Sequence, residues 1–451
     1  MPELSAELAE PIPDRIAVGA GTCMFVRGRC DPGAGAIRGL DLVAGGVATP
    51  VIAHGVDLGD APGSFWGLVP LRAIDRPAAT ELSARARLDG GRVAEAALAT
   101  LRLIPQLPRI EVAARAPAGG APLVAICMAT HEPREDLLRA QLESIGGQTH
   151  PRWICLISDD ASSPAAFDVL RKLVGGDERF AISRSSERLG PYRNFERALS
   201  MVPREAPLAA LADQDDRWRE DKLETLVAEL GDAVLAYGDM RITDESGVVI
   251  SPTFWRERRN NYTNLASLLL ANTVTGAATL FRRELLDLAL PFPPATADAF
   301  HDQWLASAAL ASGDIAFVDR PLQDYVQHES AALGHAAAVR GYRPSRLLRL
   351  SAPRESARAV AEHARRNYFL IVDRVATEAK TIELRAGPAL SPAKRRAVRR
   401  LARLGTPREP ASWLALRSLR RLAGRNETVG IELSILSSVI WRRISQIRGR
   451  G

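Results

Sequence analysis

The chain has 451 residues, 46% of them hydrophobic and 25% charged, the make-up of a folded globular protein with room for two or three domains. Four cysteines are too few for a disulfide scaffold, the spacing of Cys23 and Cys30 fits no common zinc pattern, and Cys127 and Cys155 sit in apolar runs that read as buried strands. The net charge of +6 is unevenly spread, since residues 340–451 carry 26 Lys and Arg against 8 Asp and Glu, a local +18 that leaves −12 on the rest.

An acidic body with a basic tail is expected to meet something anionic, whether lipid head groups, nucleic acid or an acidic partner. The first thirty residues hold acids and prolines in place of a basic start and an apolar core, so no secretory signal is expected and the cytoplasm is the expected compartment. The apolar stretch Val429 to Trp441 includes Glu432 and is shorter than the roughly 20 residues a spanning helix needs, so no membrane span is expected.

In chain order, residues 14 to about 115 alternate short apolar runs with Gly, Pro and Asp: Arg15 to Ala20, Thr22 to Arg27, Gly39 to Val43, Val47 to Ala53, Phe65 to Leu71, Glu81 to Leu88 and Arg92 to Leu103. That spacing predicts an antiparallel β-sandwich, and the polar–apolar alternation of Glu81 to Leu88 predicts a strand with one wet face. With few aromatics apart from Phe25, Phe65 and Trp66, this part could bind glycan, but scaffolding or dimerisation is the expected role. Ala116 to Ala121, built only of Ala, Gly and Pro, reads as a linker.

From Pro122 the pattern turns to β-α alternation. Leu123 to Ala129 is a continuous apolar strand of the kind buried on both faces, followed by a helix with Pro133 at its first position, an apolar stripe of Leu137, Leu138, Leu142 and Ile145, and a stop at Gly146-Gly147. Strands follow at Trp153 to Ser158, Phe180 to Ser183 and Pro207 to Ala212, with helices at Pro164 to Val174 and Asn194 to Met201. Repeated βαβ units predict a parallel sheet with helices on both faces and a ligand cleft at the strands' carboxyl ends.

Beyond about residue 336, Arg354 to Lys380, Pro392 to Leu404, Ala411 to Ala423 and Thr428 to Ile447 read as helices. The last mixes Ile431, Leu433, Ile435, Leu436, Val439, Ile440 and Ile444 with serines and ends in Trp441-Arg442-Arg443, so it could lie on an anionic membrane or pack on its own protein.

The chemistry concentrates at Asp213-Gln214-Asp215-Asp216-Arg217-Trp218, three carboxylates directly after a buried strand. Their mutual repulsion would be relieved by Mg2+ or Mn2+ held by one or two carboxylates and a substrate's phosphates; an acidic loop capping the helix near Glu220 is the plain alternative. A second pair, Asp159-Asp160, also follows a strand and could hold a nucleoside base or ribose hydroxyl, although a turn and N-cap use the same residue types.

Taken in order, these pieces resemble the family 2 glycosyltransferases of the GT-A fold, in particular their bacterial rhamnosyltransferase-like branch, over about 123 to 335. The resemblance rests on Cys127-Met128-Ala129-Thr130-His131, Gln148-Thr149, Ser158-Asp159-Asp160-Ala161-Ser162-Ser163, Leu189-Gly190-Pro191-Tyr192-Arg193-Asn194-Phe195-Glu196 and Asp213 to Trp218 with Lys222-Leu223-Glu224. It continues through Tyr237-Gly238-Asp239, Asp244-Glu245-Ser246-Gly247, Asn272 to Leu280, His301-Asp302-Gln303-Trp304 and Tyr325-Val326-Gln327-His328.

The resemblance implies an α/β fold with a central mixed, mainly parallel GT-A-type sheet with helices on both faces at 118–335, while the residue patterns on either side predict a β-sandwich-like domain before it at 1–117 and a basic helical region after it at 336–451. It implies that Asp213 and Asp215 hold the metal and the diphosphate, with Asp216 supporting the loop. Thr130, Glu132, Asp159 and Asp160 would hold the nucleotide, and Arg188 or Arg193 would approach the diphosphate. Asp302 would be the general base, although an N-cap on a helix from Gln303 to Ala311 is its plain alternative. Trp218, Gly276 and Trp304 would shape the sugar and acceptor pockets, with core packing equally open for Trp218. His328, after a strand at Ile315 to Val318 and a turn at Asp319 to Leu322, resembles a histidine facing the metal or diphosphate, although a lone histidine commonly does neither.

The activity so implied is an inverting, metal-dependent transfer of a sugar such as rhamnose from a nucleotide-diphosphate donor to a polysaccharide or lipid-linked glycan, with the basic tail at the inner face of the membrane. A non-catalytic protein that keeps this fold and binds nucleic acid or a protein partner through the tail is the alternative, though the tail lacks the aromatics of a single-strand binder. A nucleotidyltransferase ranks last, because no glycine-rich phosphate loop stands at the first β-α turn.

Overall fold

The computed structural model describes residues 4–33, 36–51, 53–54, 63–255, 259–295, 299–328, 353–404, 410–420, 427–428 and 430–448. They form two compact units, one drawn from 1–107, 293–299 and 342–451 and the other from 108–292 and 300–341.

The first unit begins with a β-sandwich. β1 (Ser5–Leu8), β3 (Thr22–Asp31), β7 (Ser64–Leu71) and β6 (Ala53–His54) make one sheet in the order β1-β3-β7-β6. β2 (Ile16–Ala17), β9 (Val93–Ile104), β8 (Ala78–Leu88), β4 (Ile37–Ala44) and β5 (Val47–Pro50) make the other in the order β2-β9-β8-β4-β5. Val26, Leu42, Phe65, Leu82, Ala84 and Leu101 belong to the core between them. The expected strands all contribute, with Ile52 of the fourth outside the described residues. β1 is an addition: Ser-Ala-Glu-Leu carries no β-branched residue, and its antiparallel pairing with β3 makes it a strand.

In the second unit β10 (Val124–Thr130), β11 (Trp153–Asp159), β12 (Phe180–Arg184) and β13 (Leu208–Ala212) run parallel, in the order β12-β11-β10-β13. The sheet continues through β17 (Thr279–Arg282), β15 (Leu235–Asp244), β18 (Ile315–Gln327) and β14 (Arg217–Trp218), with β16 (Val249–Ser251) beside β15. β15 and β18 keep the direction of the first four strands, while β14, β16 and β17 oppose it. This is the mixed, mainly parallel sheet expected.

On one face Val124, Ile126 and Met128 share a core with Leu138, Leu142 and Ile145 of α1 (Glu135–Gly146), Leu170 of α2 (Pro164–Val174) and Leu223 and Leu226 of α4 (Lys222–Glu229). On the other lies α3 (Gly190–Leu199), whose Asn194 donates to the Ser158 carbonyl at 2.9 Å, one residue along β11 from core-facing Ile157. The unit also holds two short helices, α5 (Leu265–Leu270) and α6 (Leu285–Ala289), and the longer α7 (His301–Ser312).

Several expected boundaries move. α1 starts at Glu135, so Pro133 precedes the helix instead of opening it. α3 starts at Gly190, because Pro191 suits a first turn and Asp160 accepts hydrogen bonds from the Leu189 and Gly190 amides. The turn expected at Asp319 to Leu322 lies inside β18, which absorbs it as register shifts against Gly238 and Asp239 of β15.

The C-terminal helices belong to the sandwich's unit. α8 (Pro353–Asn367) runs through a π turn (Tyr368–Val372) into α9 (Asp373–Ala386), followed by α10 (Pro392–Leu401), α11 (Ala411–Ser418) and α12 (Ile431–Arg448). The end of the helix expected to Ala423, Val429 and the 335/336 boundary lie outside the described residues. Phe65 faces the sandwich core, while Trp66 faces the helices, where its indole N–H donates to the Tyr368 hydroxyl at 3.2 Å. The Cys23 amide donates to the Thr381 hydroxyl at 3.1 Å, and Arg385 to the Gly21 carbonyl at 2.6 Å. Within α12, Ile435 and Val439 are buried and Ile440 and Ile444 are exposed, so the helix packs on its own protein through one face and keeps apolar residues on another. Among the described residues, no helix is long and apolar enough to cross a membrane.

Candidate active site

The site is built where parallel strands end. Register pairs Thr130 with Asp159 and Met128 with Ala212, so the loops after β10, β11 and β13 emerge side by side at the carboxyl edge of the sheet. Gln214 ties two of them together: its Oε1 accepts from the His131 amide at 2.9 Å and its Nε2 donates to the His131 carbonyl at 3.2 Å. Glu132 and Ala161, in adjacent loops, both hold left-handed backbone (φ 43° and 53°), a strain that side-chain-bearing residues keep only where surrounding contacts fix them.

Asp213, Asp215 and Asp216 crowd together after β13. Burial, then the nearby carboxylates of Asp215 and Asp302, push the Asp213 carboxyl up to about 7. Asp216 is buried and held well above the carboxylate range by burial, then by Asp213 and Asp215; its Oδ2 accepts from Gln323 at 2.9 Å, and its Oδ1 has no hydrogen-bond partner among the described residues. Below the cluster lies Lys222, the first residue of α4, fully buried, donating to Gln323 Oε1 at 2.5 Å and to the Ala277 carbonyl at 2.6 Å. Burial pulls its ammonium well below the usual range against the opposing pull of Asp216 and Asp213.

Asp302 is the second residue of α7, and Phe300, not Asp302, stands at the cap position. The N-cap alternative for Asp302 therefore falls away, although its Oδ1 still accepts the Gln303 amide at 2.6 Å. His301 stacks on Phe195 with centroids 3.7 Å apart, and burial lowers its imidazole to about 3, keeping it neutral. Gly276 lies against this pair: a Cβ there would come 2.7 Å from His301 Nε2 and 3.2 Å from Asp302 Cβ. His328 Nε2 meets Asp215 Oδ2 at 2.9 Å at one end of an open cleft of about 780 Å3 lined by Arg134, Asp244, Glu245, Ser246, Gln327 and His328.

Other expected residues are placed differently from a ligand-facing role. Asp159 is fully buried and accepts from Thr130 Oγ1 at 3.3 Å, Ser162 Oγ at 2.5 Å and the Ser162 amide at 3.1 Å. Glu132 accepts from the amide and hydroxyl of Ser163, the N-cap of α2. Asp160 holds the first turn of α3, and Arg193 is tied to Glu196 at 2.6 Å and to the Phe292 carbonyl at 3.3 Å. Arg188 is exposed. Trp304, expected as a pocket wall, is instead fully buried with its indole donating to the Ala289 carbonyl at 2.9 Å, and Trp218 belongs to the core shared with α1 and α4. Apart from Arg188, each of these side chains meets a hydrogen-bond or packing partner within the protein itself.

Residues that sequence reasoning left without a role are Gln214, Lys222, Gln323 and Arg134. Arg134 bridges Glu245 at 2.6 Å across the mouth of the open cleft. The signal for Lys222 was its place four residues after Trp218, within reach of the indole, but nothing in sequence shows Gln323 arriving from a strand a hundred residues on.

Among the described residues no three His, Cys, Asp or Glu side chains converge closely enough to hold a metal ion alone. The expected set of Asp213, Asp215 and His328 is thus not a closed cage. It fits a hard dication that takes one or two carboxylates and completes its shell with phosphate oxygens and water, the usual habit of Mg2+.

Residues 125–288 match the family model for glycosyl transferase family 2. The chain carries a family 2 glycosyl transferase domain. A stretch of 103 residues is 31% identical to the putative teichuronic acid biosynthesis glycosyltransferase TuaG of Bacillus subtilis (strain 168), covering 23% of this chain and 40% of that protein. The chain thus spans well under half the length of this curated relative. Among solved structures, S. aureus TarS 1-349 in complex with UDP-GlcNAc superposes at a TM-score of 0.42 and 14% identity over 71% of this chain and 92% of TarS. The mannosyltransferase PcManGT from Pyrobaculum calidifontis, in complex with GDP-Man and Mn2+, does so at 0.37 and 16% over 71% and 87%. Both superpositions are loose, and neither bears on this chain's ligands.

Proposed function

We propose that the protein is an inverting, metal-assisted hexosyltransferase, moving a sugar, with rhamnose among the candidates, from a nucleotide-diphosphate donor to a hydroxyl of a cell-envelope polysaccharide or lipid-linked glycan. What carries this is the match of residues 125–288 to the glycosyl transferase family 2 model, with Asp213 and Asp215 following β13 at the carboxyl edge of the sheet and the charges of Asp215 and Asp302 both helping to raise the Asp213 carboxyl. TuaG, named for teichuronic acid biosynthesis, supports the cell-envelope acceptor.

Asp302 takes the proton from the acceptor hydroxyl as its oxygen bonds the anomeric carbon; the bond to the diphosphate breaks on the opposite face, and the diphosphate leaves with the electron pair. Asp215, with Asp213, would hold Mg2+ or Mn2+, which would supply positive charge to offset that developing on the diphosphate. His328, bonded to Asp215, orients that carboxylate. Thr130, Asp159 and Asp160 shape the nucleotide loops from behind, and Gly276 keeps room beside Asp302. The basic C-terminal helices, with exposed Leu416, Leu419, Ile440 and Ile444, bring the protein to an anionic membrane surface from the cytoplasmic side.

The test is thermal unfolding with UDP, dTDP or GDP, each with and without Mn2+, on the native protein and Asp215→Ala. A metal-dependent rise in melting temperature with one nucleotide, lost in the variant, is expected. No rise with any of them points to a transferase fold that only binds a macromolecular partner.

A further inference from the structure

A second cavity, of about 450 Å3, lies wholly within the sandwich-and-helix unit, between residues 8–13, β3 and the π turn joining α8 to α9. Phe369, on that turn, is held edge-on by Phe25 at 6.4 Å and by Trp66 and Tyr368 at 5.4 Å each, with the Arg27 guanidinium 4.4 Å from its ring centre. π turns inside helices recur at binding sites.

Asp373 is the group that asks for a ligand. It is 7% exposed and lines the cavity, and the hydrogen bond its carboxyl makes among the described residues is a long one, 3.4 Å from the Thr377 hydroxyl. A buried carboxyl with so little satisfaction is costly to keep, and a hydroxyl-bearing occupant would relieve it.

The rim selects the class of occupant. Arg27 shares Glu10 at 2.8 Å and Arg365 shares Glu362 at 3.1 Å, while Arg366 adds one more cation. Two of the three guanidinium groups are thus already paired with carboxylates, leaving both donors and acceptors at the opening, which suits vicinal hydroxyls better than a phosphate that would face two glutamates. Phe25, Ile12 and Leu370 supply an apolar wall for the C–H face of a pyranose ring. The volume lies in the lower part of the range of small-molecule sites, enough for about one or two hexose rings.

We propose that this cavity binds a neutral saccharide, with Asp373, Arg27 and Glu362 bonding its hydroxyls and Phe25 packing on a ring face. That this saccharide is a segment of the acceptor glycan rests on the transferase reading; that the cavity holds a saccharide does not.

The test is saturation-transfer NMR on the full-length protein with chitobiose, mannobiose and galactobiose, and with glucuronic acid as the anionic control. Transfer to at least one disaccharide is expected, weakened about two- to tenfold by Asp373→Leu and by the exposed-rim change Arg366→Ala, and unchanged by Asp215→Ala. Melting curves keep a misfolded variant out of the comparison, and Arg366→Ala carries the test if Asp373→Leu does not fold. No transfer to any disaccharide, transfer to glucuronic acid alone, or transfer abolished by Asp215→Ala and untouched by the cavity changes would overturn the proposal. Disaccharide binding in a protein that transfers no sugar would sink the transferase reading and leave this one standing.

Discussion

The ammonium of Lys222 lies 3.5 Å from the centre of the Trp218 ring. The same nitrogen reaches the Ala277 carbonyl and Gln323, so one buried cation joins the acidic loop after β13 to the loop that packs under Asp302. Burial opposes the charge on this amine, while the carboxyls of Asp216 and Asp213 draw it back toward the charged form.

Lys222→Met should therefore be severe. It strands the buried Ala277 carbonyl and Gln323 Oε1 without their donor, a loss of about 1–3 kcal/mol for each acceptor, and the double change with Gln323→Met should recover part of it. Urea unfolding of the two variants checks this; equal stability of Lys222→Met and the native protein would remove the network from the account.

Asp302→Asn should lower kcat about a hundred- to ten-thousand-fold while leaving the affinity for donor nucleotide near native, because the base acts on the acceptor and not on the donor. Steady-state kinetics with separate donor titration reads both. A donor affinity that fell in step with kcat would place Asp302 in the donor site instead.

Gly276→Ala should cost about 1–3 kcal/mol and at least tenfold in kcat, since the new methyl meets the His301 ring at 2.7 Å and must displace the start of α7. A variant that keeps full rate would show that Asp302 tolerates movement.

The stability of the sandwich-and-helix unit should fall with rising pH through Asp373. Burial raises this carboxyl to about 8, with the Thr377 hydroxyl, Arg27 and Arg374 lowering it and Glu10 raising it. Below its unfolded value near 4 both states are protonated; between about 4 and 8 only the unfolded state has released the proton, so stability drops by roughly 1.4 kcal/mol per pH unit and levels off above. Urea unfolding of the native protein and Asp373→Asn at pH 5 and pH 8 should show the native protein losing ground to the variant at the higher pH. Parallel behaviour at both would deny the shift.

The basic tail makes a separate prediction. Vesicles containing anionic lipid should carry the protein in flotation, and Leu416→Ser with Ile440→Ser and Ile444→Ser should reduce the bound fraction several-fold at fixed salt. Equal flotation on neutral vesicles would count against the charge argument.

How much of this was legible beforehand follows from the kind of force at work. The run β10-α1-β11-α2-β12 could be read because strands buried on both faces spell themselves out as apolar runs, and helices between them as stripes such as Leu138, Leu142 and Ile145. The antiparallel half was harder, since β14 is two residues long and β18 takes Pro321 into a bulged pairing that no local propensity announces. At the site, the positions of the acids after strands were readable, but their orientation was not. Glu132 and Asp160 turn to cap helices, and Asp159 folds onto Thr130 and Ser162, because a carboxylate at a strand end serves its own turn and a ligand with the same atoms.

The burial of Trp66 against Tyr368 has a consequence for how the molecule is made. The sandwich leaves the ribosome well before the helices that cover one side of its β3-β7 sheet, which follow only after the transferase domain has been synthesised. Trp66 must therefore wait, exposed, through roughly 300 residues of elongation, on the order of 15–60 s at typical rates. The transferase domain can close around its sheet during that interval, while the sandwich gains its cover only once α8 and α9 have emerged. Trimming the basic tail to obtain a tidier enzyme would strip the cover from the N-terminal sandwich.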